Sequence, residues 1–368
     1  MSHSSQRPRS AAVSRLVNLW AARYRPDFSL LAASASSILL GEIEQSLLVS
    51  GRQELSAKLN PRVVIQACKQ AAIRTQDLYA HFEELDLKEI TNLAQLTSRV
   101  YLQLIELYQT YPLTLVARPE ELQHMSPDQL GRVFYIKNLR ALAEHLEPFL
   151  TEFRLQGIIS DSWKTLGFIT TQVNLTNALL LEPLNAVEKA LMSPYFNFLE
   201  EQIAMPWQRL CAAAEGAAAP VVTLVERMMP QVSAISMAAH THWYQCFPYY
   251  YARRGGLEHP DVKHSSLRDF SMFQVYLWLS VLQGSSRIVE TELVVLCRIV
   301  YGEIGIPWDM TVKGTKLLME KVLDRVERDQ LMLVSPYTSG MVRAFIKRDN
   351  SLLGLAAPQD LSKLVQMG

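Results

Sequence analysis

The sequence has little cysteine and no excess of charge of either sign, and each shortage disfavours a class of protein. Only four cysteines occur among 368 residues, and none forms a CxxC pair. Zinc sites and secreted disulfide frameworks need clustered or abundant cysteines, so we predict reduced, mostly buried thiols in a cytoplasmic protein. Lysine and arginine total 36, as do aspartate and glutamate, and this balance disfavours a dedicated nucleic-acid binder.

Long apolar runs and catalytic motifs are also missing. No stretch reaches the roughly 18–20 apolar residues that cross a bilayer, and we expect a soluble chain without a signal peptide. The sequence has no nucleophile elbow, P-loop, HExxH or dinucleotide-binding glycine motif. We interpret paired acids such as Glu83-Glu84 and Glu200-Glu201 as solvated helix faces. A non-enzymatic protein is therefore expected.

The histidines do not form a metal-binding pattern. His240 and His242 are two residues apart, so they cannot share a helix face as ligands spaced by four residues do. The helix predicted after His264 contains no histidine for a proximal haem ligand. We expect neither a metal ion nor a haem.

The residues that are present indicate an all-α protein. Hydrophobic residues make up 49% of the chain, and no sustained period-two alternation predicts a strand. Asn60-Pro61 and Ser126-Pro127 are helix-start signals, and we expect the second helix to continue through Phe134 and Ile136 to Leu146. The predicted segments are a disordered start (1–11), a helical bundle of no recognised family (12–160), a second helical domain (175–345) and a tail (350–368).

Residues 12–25 form a short basic amphipathic pattern. The apolar residues at helical spacing are Val13, Leu16, Val17, Trp20 and Tyr24. Arg15, Arg23 and Arg25 lie among them, and no acidic residue precedes Asp27. This segment either contacts an anionic membrane or an acidic partner, or it is a first helix that packs on its own domain.

The C-terminal half has helical spacing interrupted by prolines and glycines. Pro206 and Pro220 are expected to break a long helical stretch. A later helix is predicted to start near Ser265 or Ser266 and to end at Gly284. Before it, aromatic residues cluster around a loop as Trp243, Tyr244, Phe247, Tyr249, Tyr250 and Tyr251. This cluster either forms a protein-docking patch or covers the core, and both interpretations stay open.

A resemblance to a known family appears at Ser266-Leu267-Arg268-Asp269, which is similar to the Cys-Leu-Arg-Asp signature of phycobiliproteins. Further elements follow in the family's order, namely Tyr276, Gly284, Glu290 with Glu292, Tyr301 and Gly305-Ile306-Pro307, and Tyr251-Ala252-Arg253-Arg254 precedes the signature. The resemblance covers most of the C-terminal half. It implies a globin-like helical fold of the phycobilisome superfamily.

The family's chemistry implies a set of candidate cofactor residues. In phycobiliproteins the signature cysteine forms a thioether to a bilin, the arginine pairs with a propionate, and the aspartate accepts hydrogen bonds from pyrrole nitrogens. The resemblance thus implies, if a bilin pocket persists, the binding residues Ser266, Arg268, Asp269, Arg254 and Tyr276.

The serine is the main departure from the family. A hydroxyl forms no stable thioether, so covalent attachment at Ser266 is not expected. Cys246 is the one nearby thiol, and it is either a displaced attachment point or inert packing. Arg268 and Asp269 either hold a free bilin or have a structural or capping role near a helix start.

The resemblance implies a pigment-free interaction protein. We expect it to act in light-harvesting antenna (phycobilisome) assembly, attachment or regulation, in the cytoplasm of a cyanobacterium-like cell or at the cytoplasmic face of the thylakoid membrane. Expected partners are phycobilisome or photosystem subunits, or a second copy of the chain. Residues near 165–195 are expected to offer either the dimer surface or a docking site for an antenna subunit. The alternatives are a non-covalent bilin carrier, sensor or bilin-handling protein, and a globin-like stress-signalling module.

Overall fold

The computed structural model describes residues 11–31, 36–78, 87–122, 124–159, 164–252, 255–303 and 305–347. These residues are almost entirely helical, which confirms the all-α prediction, and the described strands are two to three residues long. Most of the predicted disordered start, the tail from 350 and the pair Glu83-Glu84 lie outside the described residues.

The described residues pack as two compact units. Unit 1 contains the described residues up to Gln156 and Thr165–Pro230, and unit 2 contains those within Gly157–Lys164 and from Gln231 onward. Residues 175–230 were predicted to belong to the second domain, but they lie in unit 1. The predicted domain boundaries themselves stay a prediction.

The first group of elements belongs largely to unit 1. In chain order they are α1 (Ala11–Ala21), α2 (Ser36–Leu47), α3 (Val49–Lys58), α4 (Pro61–Leu78), α5 (Leu87–Thr110), β1 (Leu113–Leu115), α6 (Pro119–Leu122), α7 (Pro127–Arg132), β2 (Phe134–Ile136), α8 (Leu139–Ile159), α9 (Lys164–Leu181), α10 (Ala186–Ala204), α11 (Trp207–Ala213) and α12 (Ala219–Met228).

The second group forms unit 2. These elements are α13 (Val232–Cys246), β3 (Tyr251–Ala252), β4 (Gly255–Gly256), α14 (Pro260–Gln283), a π-helical turn (Val289–Leu293), α15 (Val294–Glu303), α16 (Trp308–Leu323) and α17 (Leu331–Ile346). Within unit 2, α14 packs against α13, α16 and α17.

Local helix signals explain several boundaries. Asn60 Oδ1 accepts from the backbone amides of Arg62 at 3.1 Å and Val63 at 3.3 Å, which confirms the predicted start of α4. Ser126 forms a capping box with Gln129 at the start of α7. Helices also end or begin at Pro206 and Pro220, as predicted.

The predicted long helix from Ser126 to Leu146 is wrong. The chain leaves the helical conformation after Arg132 and forms β2, in which Tyr135 pairs with Thr114 of β1. Asn138 then takes a left-handed conformation with φ of 56°, which a continuing helix does not allow. The hairpin pairing therefore overrides a helical apolar pattern in this segment.

The basic segment at the N-terminus packs on unit 1. Val13, Leu16 and Trp20 of α1 are buried, and the helix contacts α11 and α12. The Trp20 ring lies 6.3 Å from that of Trp207 in a stacked arrangement. The apolar face that a membrane would bind is thus already covered by the protein's own helices.

An ionic network fixes the turn that follows α1. Glu201 accepts hydrogen bonds from Arg23 Nη2 at 2.7 Å, from the Tyr24 hydroxyl at 2.7 Å and from Trp207 Nε1 at 2.9 Å. Glu200 beside it is 4% exposed. The interpretation of Glu200-Glu201 as a solvated face is therefore wrong, because α10 is buried on most of its surface.

Candidate functional site

The signature residues lie inside a helix rather than at its start. α14 begins at Pro260, five residues before the predicted Ser265, with Pro260 in the first turn. Ser266 is therefore in the second turn, where its hydroxyl donates to the Val262 carbonyl at 2.8 Å. The capping role considered for Asp269 is wrong for the same reason, and Asp261 is the acidic residue of the first turn.

Asp269 is held by two side chains. Arg268 donates to its Oδ1 from Nε at 3.2 Å and from Nη2 at 3.0 Å, and Tyr301 of α15 donates to Oδ2 at 2.8 Å. The side chains of Arg268 and Asp269 are 16% and 20% exposed. Both carboxylate oxygens, which in the family would face a pigment, thus accept hydrogen bonds from the protein itself.

A buried thiol extends this cluster. Burial raises the pKa of Cys297 well above its usual value, and the nearby Asp269 carboxylate raises it further. Burial and the same carboxylate also raise the pKa of Tyr301. Tyr301 and Cys297 are therefore neutral at physiological pH, and Tyr301 is a hydrogen-bond donor to a single acidic partner. We call Arg268, Asp269, Tyr301 and Cys297 the Asp269 cluster.

The two remaining predicted cofactor residues are Tyr276 and Arg254. Tyr276 follows Asp269 by seven residues, about 10 Å along the helix axis, and it is buried in the core of unit 2. Arg254 lies outside the described residues. Tyr301 was noted only as one of the elements in the family's order, and its position in the sequence gave no sign of its contact with Asp269.

The aromatic cluster divides into core and surface. Trp243 is buried, donates to the Met310 carbonyl at 2.9 Å, and packs edge-on against Phe270. Tyr249 and Tyr251, by contrast, are 97% and 79% exposed. The core interpretation is therefore correct for Trp243, and the docking interpretation stays a prediction for Tyr249 and Tyr251.

Most side chains described near residues 165–195 are buried or partly buried in unit 1. Among the side chains described between 168 and 195, the exposed ones are Ala178, Glu182, Pro183, Asn185, Ala186 and Lys189. They centre on the turn between α9 and α10. A docking surface in this region would be confined to that turn.

Three of the four thiols are buried and all four are free, in agreement with the expected pattern. Burial raises the pKa of Cys68 to about 11 and that of Cys211 to about 12, so both are protonated and unreactive at neutral pH. Cys246, at the end of α13, is exposed. It is the thiol that external reagents reach most easily.

His240 is fully buried on α13. Its Nδ1 lies 3.6 Å from Glu258 Oε1, and neither ring nitrogen makes a hydrogen bond of normal geometry to the described residues. Burial lowers its pKa, while the Glu258 carboxylate opposes that shift. His242, in contrast, is exposed, and the described residues contain no group of three or more His, Cys, Asp or Glu side chains that could hold a metal ion.

None of the described helices combines the length and the apolarity needed to span a bilayer.

Comparison with known families identifies the C-terminal half. Residues 213–345 match the family model described as Phycobilisome protein. Searches among curated proteins and among solved structures gave no match. The chain therefore contains a phycobilisome protein domain, an all-α domain of globin-like fold, and this domain indicates a phycobiliprotein-like role in light harvesting.

Proposed function

We propose that this protein, which carries a phycobilisome protein domain at residues 213–345, is a pigment-free interaction protein of the light-harvesting antenna. The observation that carries the proposal is the occupied Asp269 carboxylate. Arg268 and Tyr301 supply the hydrogen bonds that pyrrole nitrogens would otherwise donate. Ser266, whose hydroxyl donates to a backbone carbonyl, offers no thiol for attachment.

Exposed tyrosines supply a surface for such an interaction. Tyr249 and Tyr251 are almost fully exposed on the segment that leads from α13 through β3. Tyrosine is enriched at the energetic centre of protein interfaces because it buries a large ring and retains a hydrogen-bonding hydroxyl. We propose that these two rings contact a phycobilisome subunit, in assembly, attachment or regulation of the antenna at the cytoplasmic face of the thylakoid membrane.

Gel filtration of the full chain with purified phycobilisome subunits tests the interaction. We expect co-elution that is lost when Tyr249 and Tyr251 are both replaced by serine. The control replaces Val116 and Met332, which are 70% and 83% exposed, by serine, and should co-elute like the unmodified chain. Failure of the unmodified chain to co-elute with any subunit would overturn the proposal.

The alternative is a non-covalent bilin carrier or sensor, for which the retained pair Arg268 and Asp269 is the supporting observation. A bilin bound there would compete with Tyr301 and Arg268 for the carboxylate. Absorbance after expression with and without bilin biosynthesis separates the two functions. We expect no colour in the unmodified chain or in Ser266→Cys. Colour lost in acid urea would favour the carrier, and colour that survives in the unmodified chain would place attachment at Cys246.

A further inference from the structure

The helix α4 has a sharply divided surface in unit 1. Its inner side chains are buried, and the helix packs against α5. The inner residues are Val64, Ala67, Cys68, Ala71, Ala72 and Thr75. The opposite side lines a shallow, open groove formed by Arg62, Ile65, Gln66, Lys69, Gln70 and Ile73, which we call the α4 outer face.

Apolar and basic side chains share this face. Ile65 is 39% exposed and Ile73 is 58% exposed, although isoleucine is among the residues most often buried. Arg62 and Lys69 make no ion pair within the described part of the chain, and the same holds for Arg74 at the edge of the face. Asp77 is the one acidic residue in the sequence of α4.

We propose that the α4 outer face docks an acidic amphipathic helix of a partner protein. Charge complementarity is the argument for this occupant, because unpaired cations beside exposed isoleucines match carboxylates beside an apolar ridge. Arg62 and Lys69 are seven residues apart, about 10 Å along the axis. Carboxylates two turns apart on the partner helix would meet both cations while its apolar side chains cover Ile65 and Ile73.

Other occupants fit this face less well. A second copy of the chain would place Arg62 and Lys69 opposite like charges, which disfavours self-association. An anionic membrane would attract the cations, but stable adsorption needs a larger apolar area than two half-exposed isoleucines supply. Gln66 and Gln70 also lie in the middle of the face, where hydrocarbon would leave their amides without partners.

The test uses the full chain and a labelled, alanine-based helical peptide in which glutamates flank a ridge of leucines. Fluorescence anisotropy measures its affinity, and a second peptide carries lysine at every glutamate position. We expect the unmodified chain to bind the acidic peptide and not the basic one. The pair Ile65→Ser and Ile73→Ser should weaken that binding by about ten-fold or more.

Charge reversal gives the sharper result. The pair Arg62→Glu and Lys69→Glu should abolish binding of the acidic peptide and create binding of the basic one. The matched control reverses Lys313 and Lys316, exposed on α16, and should leave both peptides unaffected. Circular dichroism verifies that each variant keeps its helix content.

Two outcomes would overturn the proposal. The first is absence of binding by the acidic peptide, or binding that the α4 variants do not change. The second is adsorption to phosphatidylserine vesicles that the Arg62→Glu and Lys69→Glu pair abolishes, which would identify a membrane surface. The proposal does not depend on the antenna function, since the peptide assay contains no phycobilisome subunit.

Discussion

Two acidic side chains, one in each unit, are bound by an arginine and a tyrosine, but the segments that supply these donors differ. Glu201 receives hydrogen bonds from Arg23 and Tyr24, which follow α1, and from the first residue of α11. Asp269 receives them from its own neighbour Arg268 and from Tyr301. The first network joins distant segments of the chain, since Arg23 and Glu201 are 178 residues apart.

The difference indicates that the Glu201 carboxylate has a structural role, whereas the Asp269 carboxylate is less tightly bound to the rest of the fold. Breaking the Glu201 network would strand a buried cation and release α1, so that carboxylate is committed to the fold. At Asp269 a local arginine supplies most of the compensation, and a single hydrogen bond reaches another helix. The Asp269 cluster can therefore lose one partner at a smaller cost.

The largest effect is expected for Glu201→Gln. Arg23 would remain 13% exposed without a counter-charge, and we expect a loss of about 3–5 kcal/mol in the free energy of unfolding. Urea unfolding followed by tryptophan fluorescence measures it, with Glu182→Gln on the exposed turn after α9 as the control. A loss no larger than that of the control would show that the network does not stabilise unit 1.

A smaller effect is expected at Asp269. Asp269→Asn removes the charge that Arg268 binds, and Tyr301→Phe removes one hydrogen bond to a charged acceptor. We expect each to cost about 1.5–3 kcal/mol in urea unfolding. The double variant should cost less than the sum of the two, because Asp269→Asn already removes the charge of the acceptor to which Tyr301 donates. Strict additivity would contradict the contact between Tyr301 and Asp269.

His240 is buried and makes no hydrogen bond of normal geometry to the described residues, and the one carboxylate beside it is that of Glu258, which gives a pH dependence. Because burial lowers its pKa in the folded state, the unfolded chain binds the proton more readily. Stability should therefore fall as the pH drops through about 6.5, the usual histidine pKa, towards the lower folded-state pKa. His240→Phe should flatten this part of the stability profile measured by urea unfolding between pH 5 and 8. An unchanged profile would assign the acid sensitivity to other groups.

The smallest effect is expected at Ser266. Its hydroxyl donates to a carbonyl that α14 already uses, so Ser266→Ala should change the free energy of unfolding by about 0.5 kcal/mol or less. Ser266→Cys should behave alike. A large loss in either variant would mean that the hydroxyl is part of the Asp269 cluster after all.

The sequence singled out the acid of one of these two networks and missed the other network. Asp269 stood out because its neighbours form a recognisable signature. Glu201 did not, because its donors come from residues 23, 24 and 207, and contacts over such separations leave no local pattern. The interpretation of Glu200-Glu201 as a solvated face rested only on the two adjacent acids. The apolar residues around this pair already indicated a buried helix.

Helix boundaries were predictable where capping is local. Asn60 caps α4 through its own side chain, and Gly284 ends α14 in the left-handed conformation with φ of 67°. The start of α14 was missed because the prediction placed it at Ser265 or Ser266, although Pro260 favours a first helical turn. The strands β1 and β2 are three residues long, too short for an alternating pattern.

The burial of α14 from Phe270 to Leu282 has a consequence for how the Asp269 cluster can move. Every side chain from Phe270 to Leu282 is buried, so the amides of this stretch should exchange with deuterated solvent only when unit 2 opens as a whole. Arg268 and Asp269 directly precede that stretch and share its backbone. Rearrangement at the cluster is thus limited to side-chain rotation and to shifts of α15, and the helix itself acts as a fixed support.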